Sequence, residues 1–263
     1  MSSGYHDLRS EASDALANLL AEERPLVMGI VNVTPDSFSD GGLYYDPREA
    51  AEHARRLVDE GVDIIDVGAE STRPYGGAKP VSLEDELARL TPILPFIISL
   101  GVPVSIDTMK PEVAMWALQE GACIVNDVWG LQREPGMASV VAKFGAPVIV
   151  MHNRYKVDPL INIVSDINAF FSHSIAIAAR AGIKRNKIVL DPGIGFGKTP
   201  EQSMQVIANL ESFKRFSMPL MIGASRKRFI DTVTPSDPLE RLPGSIAANV
   251  LAYERGVSIF RVH

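Results

Sequence analysis

The chain has 263 residues, with 26 Lys and Arg against 32 Asp and Glu for a formal charge of −6, and it is 46% hydrophobic and 22% charged. That is the composition of an ordinary folded protein, and its acidic balance argues against nucleic acid as the main partner, since phosphate backbones are held by dense Lys and Arg. No apolar run is long enough to span a membrane, the lone Cys123 excludes an internal disulfide, and Met1 to Arg24 has neither the basic head nor the apolar centre of a secretory signal, so a reduced, cytoplasmic protein is expected.

Short β-branched runs alternate with longer stretches of helical period. The predicted strands are Leu26 to Val33, Val62 to Val67, Val102 to Ile106, Cys123 to Val125, Pro147 to Met151, Lys187 to Leu190, Pro219 to Ile222 and Val257 to Val262. Helices are predicted near 47–60, 83–99, 110–120, 134–144, 162–181, 200–214 and 239–255. Gly61, Gly101, Gly121, Gly145, Gly182 and Gly256 each follow a helical run, where a left-handed cap is wanted. Strands joined through helices pair in parallel. Eight of them in one domain of this length predict an α/β fold of the closed (β/α)8 TIM-barrel type, with a doubly wound open sheet as the second reading.

Such barrels carry their chemistry at the C-terminal ends of the strands, and polar residues gather there. Asn32 ends the first run, Glu70 to Arg73 follow the second, and Asp107, Asn126-Asp127, His152 and Asp191 end the next four. Ser225-Arg226-Lys227 follow the seventh, and Arg261 and His263 lie in and after the eighth. Polar side chains at so many strand ends pack poorly and are costly if unpaired, so a polar site is expected. Arg73, Arg226, Lys227 and Arg261 suit an anion such as phosphate or carboxylate. Asp107, Asn126 and Asp191 offer acceptors to a ring bearing N–H donors.

The segment Leu190 to Thr199, L-D-P-G-I-G-F-G-K-T, has neither Walker A nor dinucleotide-fingerprint spacing. It reads as a side-chain-poor loop in which a ligand can approach the backbone. Asn32 to Gly42 and the stretch around Gly76-Gly77 read as loops that close over a substrate. His53 and His173 fall in helices and are expected to be structural; no zinc-ligand spacing and no nucleophile relay occur. The chemistry inferred is positioning plus electrostatics.

In Met28 to Gly42 (M-G-I-V-N-V-T-P-D-S-F-S-D-G-G), Asp66 to Pro74 (D-V-G-A-E-S-T-R-P), Ser105 to Thr108, Asn126-Asp127, Val150 to His152, Leu190 to Thr199, Ser225 to Arg228 and Arg261 to His263, the sequence resembles the dihydropteroate synthase family. The resemblance covers nearly the whole chain and implies condensation of 6-hydroxymethyl-7,8-dihydropterin diphosphate with p-aminobenzoate, a step of folate biosynthesis at which sulfonamides compete. It implies that Asp107, Asn126, Asp191 and Lys227 hold the pterin, and that Asn32, Thr72, Arg73, Arg261 and His263 hold the diphosphate, with Mg²⁺ near Asn32. Pro74, Phe196, Ser225 and Lys227 would border the aminobenzoate pocket, and Asp107, Lys227 and Arg73 would act on the reaction itself. The implied mechanism is dissociative, with diphosphate leaving before the aniline nitrogen attacks. Small-molecule substrates and a homodimer formed through late helices are the implied partners. A pterin-binding methyltransferase-type barrel and an inactive pterin-binding homologue are the alternative functions.

Members of that family usually continue past R-V-H into a final helix, whereas this chain stops at His263 and begins with Tyr5-His6-Asp7-Leu8 and a helical pattern of Leu8, Ala12, Ala15, Leu16, Leu19 and Leu20. Two expectations follow for residues 5–22: a permuted barrel in which they fill the seat of the eighth helix between the eighth and first strands, or a simple N-terminal extension.

Overall fold

Alternating in and out along each short strand, the apolar pattern builds two separate cores. The structure is a computed structural model that describes residues 14–34, 47–71 and 80–263. Its eight strands are β1 (Leu26–Asn32), β2 (Ile64–Gly68), β3 (Val104–Asp107), β4 (Ile124–Asp127), β5 (Val148–Met151), β6 (Ile188–Asp191), β7 (Met221–Ile222) and β8 (Ile259–Val262). All pair in parallel in the order β6-β5-β4-β3-β2-β1-β8-β7. The ring closes between β6 and β7 through a parallel bridge, Leu190 to Leu220, with the Leu190 N–H donating to the Pro219 carbonyl at 2.9 Å. The TIM barrel is the observed fold, and the open sheet is excluded by that bridge.

The helices are α1 (residues 14–20), α2 (Pro47–Asp59), α3 (Leu83–Leu90), α4 (Leu94–Ser99), α5 (Pro111–Glu120), α6 (Gly136–Phe144), α7 (Ile163–Ala181), α8 (Pro200–Ala208), α9 (Arg228–Asp231) and α10 (Leu242–Glu254). The helix expected over 83–99 is broken into two around residues 91–93, where α4 restarts with a proline in its first turn; proline suits that position because its missing N–H has no partner there anyway. All six glycines read as helix stops have positive φ. None of the described helices is long and apolar enough to cross a membrane.

Outward strand residues such as Val31, Ile65, Val67, Ile106, Val125, Val150 and Leu190 pack under the helices in the larger core. Inward residues Leu26, Met28, Ile64, Ile124, Ile149, Val189, Met221 and Ile259 fill the lower lumen in a second core, which Leu16, Leu19 and Leu20 of α1 close from below. Cys123 belongs to this floor; its Sγ lies 3.5 Å from the Val104 carbonyl, and burial pushes its thiol up to about 11.

The position of α1 corrects the permuted-barrel expectation. Its apolar side chains plug the lumen from the strand N-terminal side, with Leu16 only 3% exposed, while outward-facing Val27 on β1 remains 39% exposed. A helix seated between β8 and β1 would cover Val27. The physical reason is that the lower lumen is apolar and open at its base, and leucines bury more fully there than against a strand flank. An ion pair of 2.9 Å from Lys187, just before β6, to Asp14 pins α1 in this place. Residues 5–13 lie outside the described residues.

Candidate active site

One level above this apolar floor the lumen turns polar, because inward positions of several strands there are Asp, Asn, Ser or Arg. Strand register sets Asp66 beside Ser105, and Asp107 beside both Gly68 and Asn126. Gly68 matters here, since a Cβ on it would come within 3.3 Å of the Asp107 Cβ and crowd the space beside that carboxylate. Arg261 reaches in from β8: its Nε donates to Asp66 Oδ2 at 2.6 Å and its Nη2 to Asp107 Oδ2 at 2.8 Å. The Asn126 Nδ2 donates to the same Asp66 oxygen at 3.1 Å. Two buried carboxylates therefore share one guanidinium. Burial first, and then the neighbouring Asp66, push the Asp107 carboxyl up to about 8.

Asp191 and Lys227 face each other across the same lumen. Burial raises Asp191, with Lys227 opposing the shift. Burial also brings Lys227 down to about 7, against the pull of Asp191. The Lys227 ammonium donates to the Ile194 carbonyl and sits 4.5 Å from the Phe196 ring centroid, a cation–π distance. Ser225 is buried with its Oγ 3.1 Å from His263 Nδ1. Asn32 ends β1, half-buried. Thus Asp107, Asn126, Asp191, Lys227 and Arg261 line one lumen, with Phe196 against Lys227 and Ser225 against His263 at its rim. Thr72, Arg73 and Pro74 lie outside the described residues, as do the loop positions 35–46 and the Gly76-Gly77 pair.

Other strand-end polar residues serve the scaffold. Asp127 points away from the lumen and accepts from the Trp129 and Leu131 N–H groups at 2.9 and 2.7 Å, tying down the turn after β4. Glu70 pairs with Lys110 at 2.5 Å and accepts from the Val81 N–H. The Arg226 side chain is exposed, and its backbone is held by Ser245 and Arg241. His53 in α2 contacts the Ile30 carbonyl at 3.0 Å, in keeping with a structural part.

His152 is buried but faces its own network. Its Nε2 lies 2.9 Å from Asp166, which also pairs with Arg154 at 2.7 Å, and its Nδ1 lies 2.7 Å from Lys198 Nζ. Lys198 also donates to the Gly193 and Phe196 carbonyls at 2.8 and 3.0 Å. Two glycines of the 190–199 loop are required by packing against the neighbouring loop, while Gly195 faces Lys227. A Cβ on Gly193 would fall 2.0 Å from the His152 carbonyl oxygen, and one on Gly197 would fall 2.4 Å from the Arg154 Cβ. The loop after β5 is what requires glycine at 193 and 197.

Sequence reasoning missed Asp66 as a lumen residue. It is fully buried and joins Asn126 to Arg261. The signal was present: an aspartate in the middle of the apolar run I-I-D-V-G, at an inward position two before Gly68.

The comparisons with known proteins bear directly on this lumen. A family model described as "Pterin binding enzyme" matches residues 28–263. The chain belongs to the pterin-binding enzyme family. Within it, dihydropteroate synthase of Bacillus subtilis strain 168 is 45% identical over 247 residues, covering 92% of this chain and 84% of that protein. A dihydropteroate synthase crystal structure from Clostridium difficile, obtained in the presence of pteroic acid, superposes with a TM-score of 0.87 at 47% identity, covering 91% of both chains. A Xanthomonas albilineans dihydropteroate synthase with 4-aminobenzoic acid gives 0.86 at 42% identity, covering 91% of this chain and 88% of that one. The pterin-binding family thus extends over all eight strands and includes the two strands, β7 and β8, that bring Lys227 and Arg261 to the lumen.

Proposed function

We propose that the protein is a cytoplasmic dihydropteroate synthase, joining 6-hydroxymethyl-7,8-dihydropterin diphosphate to p-aminobenzoate with release of diphosphate. The single observation that carries this is the lumen itself: Asp107, Asn126 and Asp191 converge as acceptors with Lys227 and Arg261 beside them, in a chain so similar to proteins of that activity. The acceptors match a flat ring whose edge is rich in N–H groups. The methylene carbon loses its diphosphate oxygen with the bonding pair, the aniline nitrogen forms the new C–N bond, and that nitrogen then gives up a proton. Asp107, held against the ring position, stabilises the positive charge that develops there. Lys227 holds the ring with these acceptors, and Arg261, with Arg73 and His263, is assigned to the departing anion. Phe196 and Ser225 border the aminobenzoate.

Magnesium is part of this reading. Among the described residues no three His, Cys, Asp or Glu side chains group to hold a metal. Asn32 supplies an amide oxygen, and Mg²⁺ commonly takes one or two protein ligands while substrate phosphates and water complete its shell, so the donor set fits an ion delivered with the diphosphate. Bound there, it would neutralise charge on the leaving group. A homodimer belongs to the same reading, supported by the exposed row Leu242, Ile246, Val250 and Tyr253 along α10.

The test is diphosphate release from the purified chain with both substrates and Mg²⁺. Release that depends on both substrates, with dihydropteroate formed in equal amount, is expected. Release without aminobenzoate, or none at all, would overturn the assignment.

A further inference from the structure

Four buried polar atoms in the lumen have no hydrogen-bond partner among the described residues: Asp66 Oδ1, Ser105 Oγ, Asp107 Oδ1 and Asn126 Oδ1. Orphans of this kind are costly, and their clustering at one place signals a ligand that satisfies them. Of these, the Asn126 amide oxygen can only accept. That polarity is not inherent in Asn126, whose amide carries an acceptor on one side and donors on the other. It is set by Asp66. The Asp66 Oδ2 receives both the Asn126 Nδ2 and the Arg261 Nε, at 3.1 and 2.6 Å. Turning the amide over would press its carbonyl oxygen against a carboxylate oxygen and leave the N–H groups facing the lumen.

We infer that Asp66 is a positioning residue that fixes the Asn126 amide with its oxygen toward the ligand and so selects heterocycles presenting donors at that edge. The claim rests on the proposed function for the identity of the ligand class, and it deepens that reading by naming what discriminates within the class. A 2-amino-4-oxo ring offers an amino group to this surface. The corresponding 2,4-dioxo ring offers a carbonyl instead, which the fixed acceptors reject. Sites built to accept from a particular N–H discriminate strongly because the mismatched ligand leaves buried groups unpaired.

The experiment compares binding of 6-hydroxymethylpterin and 6-hydroxymethyllumazine by titration calorimetry in the wild type, Asp66→Ala and Asp66→Asn, each checked for a cooperative thermal transition. In wild type the pterin should bind at least about a hundredfold more tightly. Asp66→Ala frees the amide to turn, and the preference should fall by about tenfold or more. Asp66→Asn keeps an oxygen where Oδ2 stands, so the preference should return to within a few-fold of wild type. An unchanged preference in Asp66→Ala, or an equal loss in Asp66→Asn, would overturn the inference. If the alanine variant does not fold, Asp66→Val removes the same acceptor while filling the space and takes its place. A wild-type chain that turns over both substrates while Asp66→Ala keeps full pterin selectivity refutes the inference alone; a wild-type chain without diphosphate release refutes the underlying assignment.

Discussion

Asp107 is held by its strand in a place where its charge is expensive even with the Arg261 guanidinium 2.8 Å away. Its carboxyl is pushed up to about 8 by burial and by Asp66, with Arg261 opposing. A carboxyl that binds its proton more tightly when folded makes the folded state progressively less stable as pH rises from the unfolded value near 4 to about 8. Asp107→Asn removes that dependence. Denaturant unfolding should show the variant gaining on wild type between pH 5 and pH 8, while its turnover falls far more than its affinity for diphosphate. Equal losses of turnover and diphosphate affinity would argue against a role in stabilising charge on the ring. Most lumen residues were legible in the sequence because each stands as a polar letter at a strand end. What no single-residue pattern carries is direction: Asn126 and Asp127 are adjacent, yet one enters the lumen and the other ties a turn. Asp66 was overlooked because it lies inside its strand, where length and apolar neighbours suggest filler.

Between elements, Lys198 is the joint that holds the exits of β5 and β6 together. Its amine, which burial brings well below the usual lysine range, reaches the ring of His152 and the carbonyls of His152, Gly193 and Phe196. Burial and the nearby Lys198 charge bring His152 down to about 4, so the neutral ring accepts from Lys198 at Nδ1 and donates to Asp166 at Nε2. The His152 hydrogen bond in turn brings Asp166 down to about 2. A histidine depressed on folding contributes stability that is complete above its unfolded value near 6.5 and is lost as pH falls toward about 4. Lys198→Met should destabilise the protein by about 3 kcal/mol in urea unfolding, since buried acceptors lose their donor. It should also raise the KM for the pterin substrate, because Ile194 and Phe196 no longer steady Lys227. No motif announces this joint. Gly193 meets His152 and Gly197 meets Arg154 across more than forty residues of chain, and a loop that tolerates only glycine looks the same in sequence whether a ligand or another loop presses on it.

For the molecule as a whole, alternation of strands and helices narrowed the fold to a barrel or an open parallel sheet, and the Leu190 to Leu220 bridge decides for the barrel. Leu16, Leu19 and Leu20 share one helix face as read but were seated wrongly, because amphipathic spacing records that a face is buried without recording against what. The barrel divides into a dry base closed by α1 and a polar upper lumen, and the two ends should respond separately. Leu16→Ala should cost about 3 kcal/mol of stability through the cavity it leaves, with kcat and both KM values unchanged; a parallel loss of activity would mean that the base and the site are coupled.

The dry base also has a practical bearing. The chain's only cysteine lies in it, shielded from solvent with its thiol held protonated, and reaction with alkylating reagents requires an accessible thiolate. The native fold is therefore silent toward thiol labels without any residue being removed. A substitution such as Tyr155→Cys, at a position 78% exposed, would provide a lone attachment point for a fluorophore or spin probe, at the loss of the Tyr155 stack on Trp129.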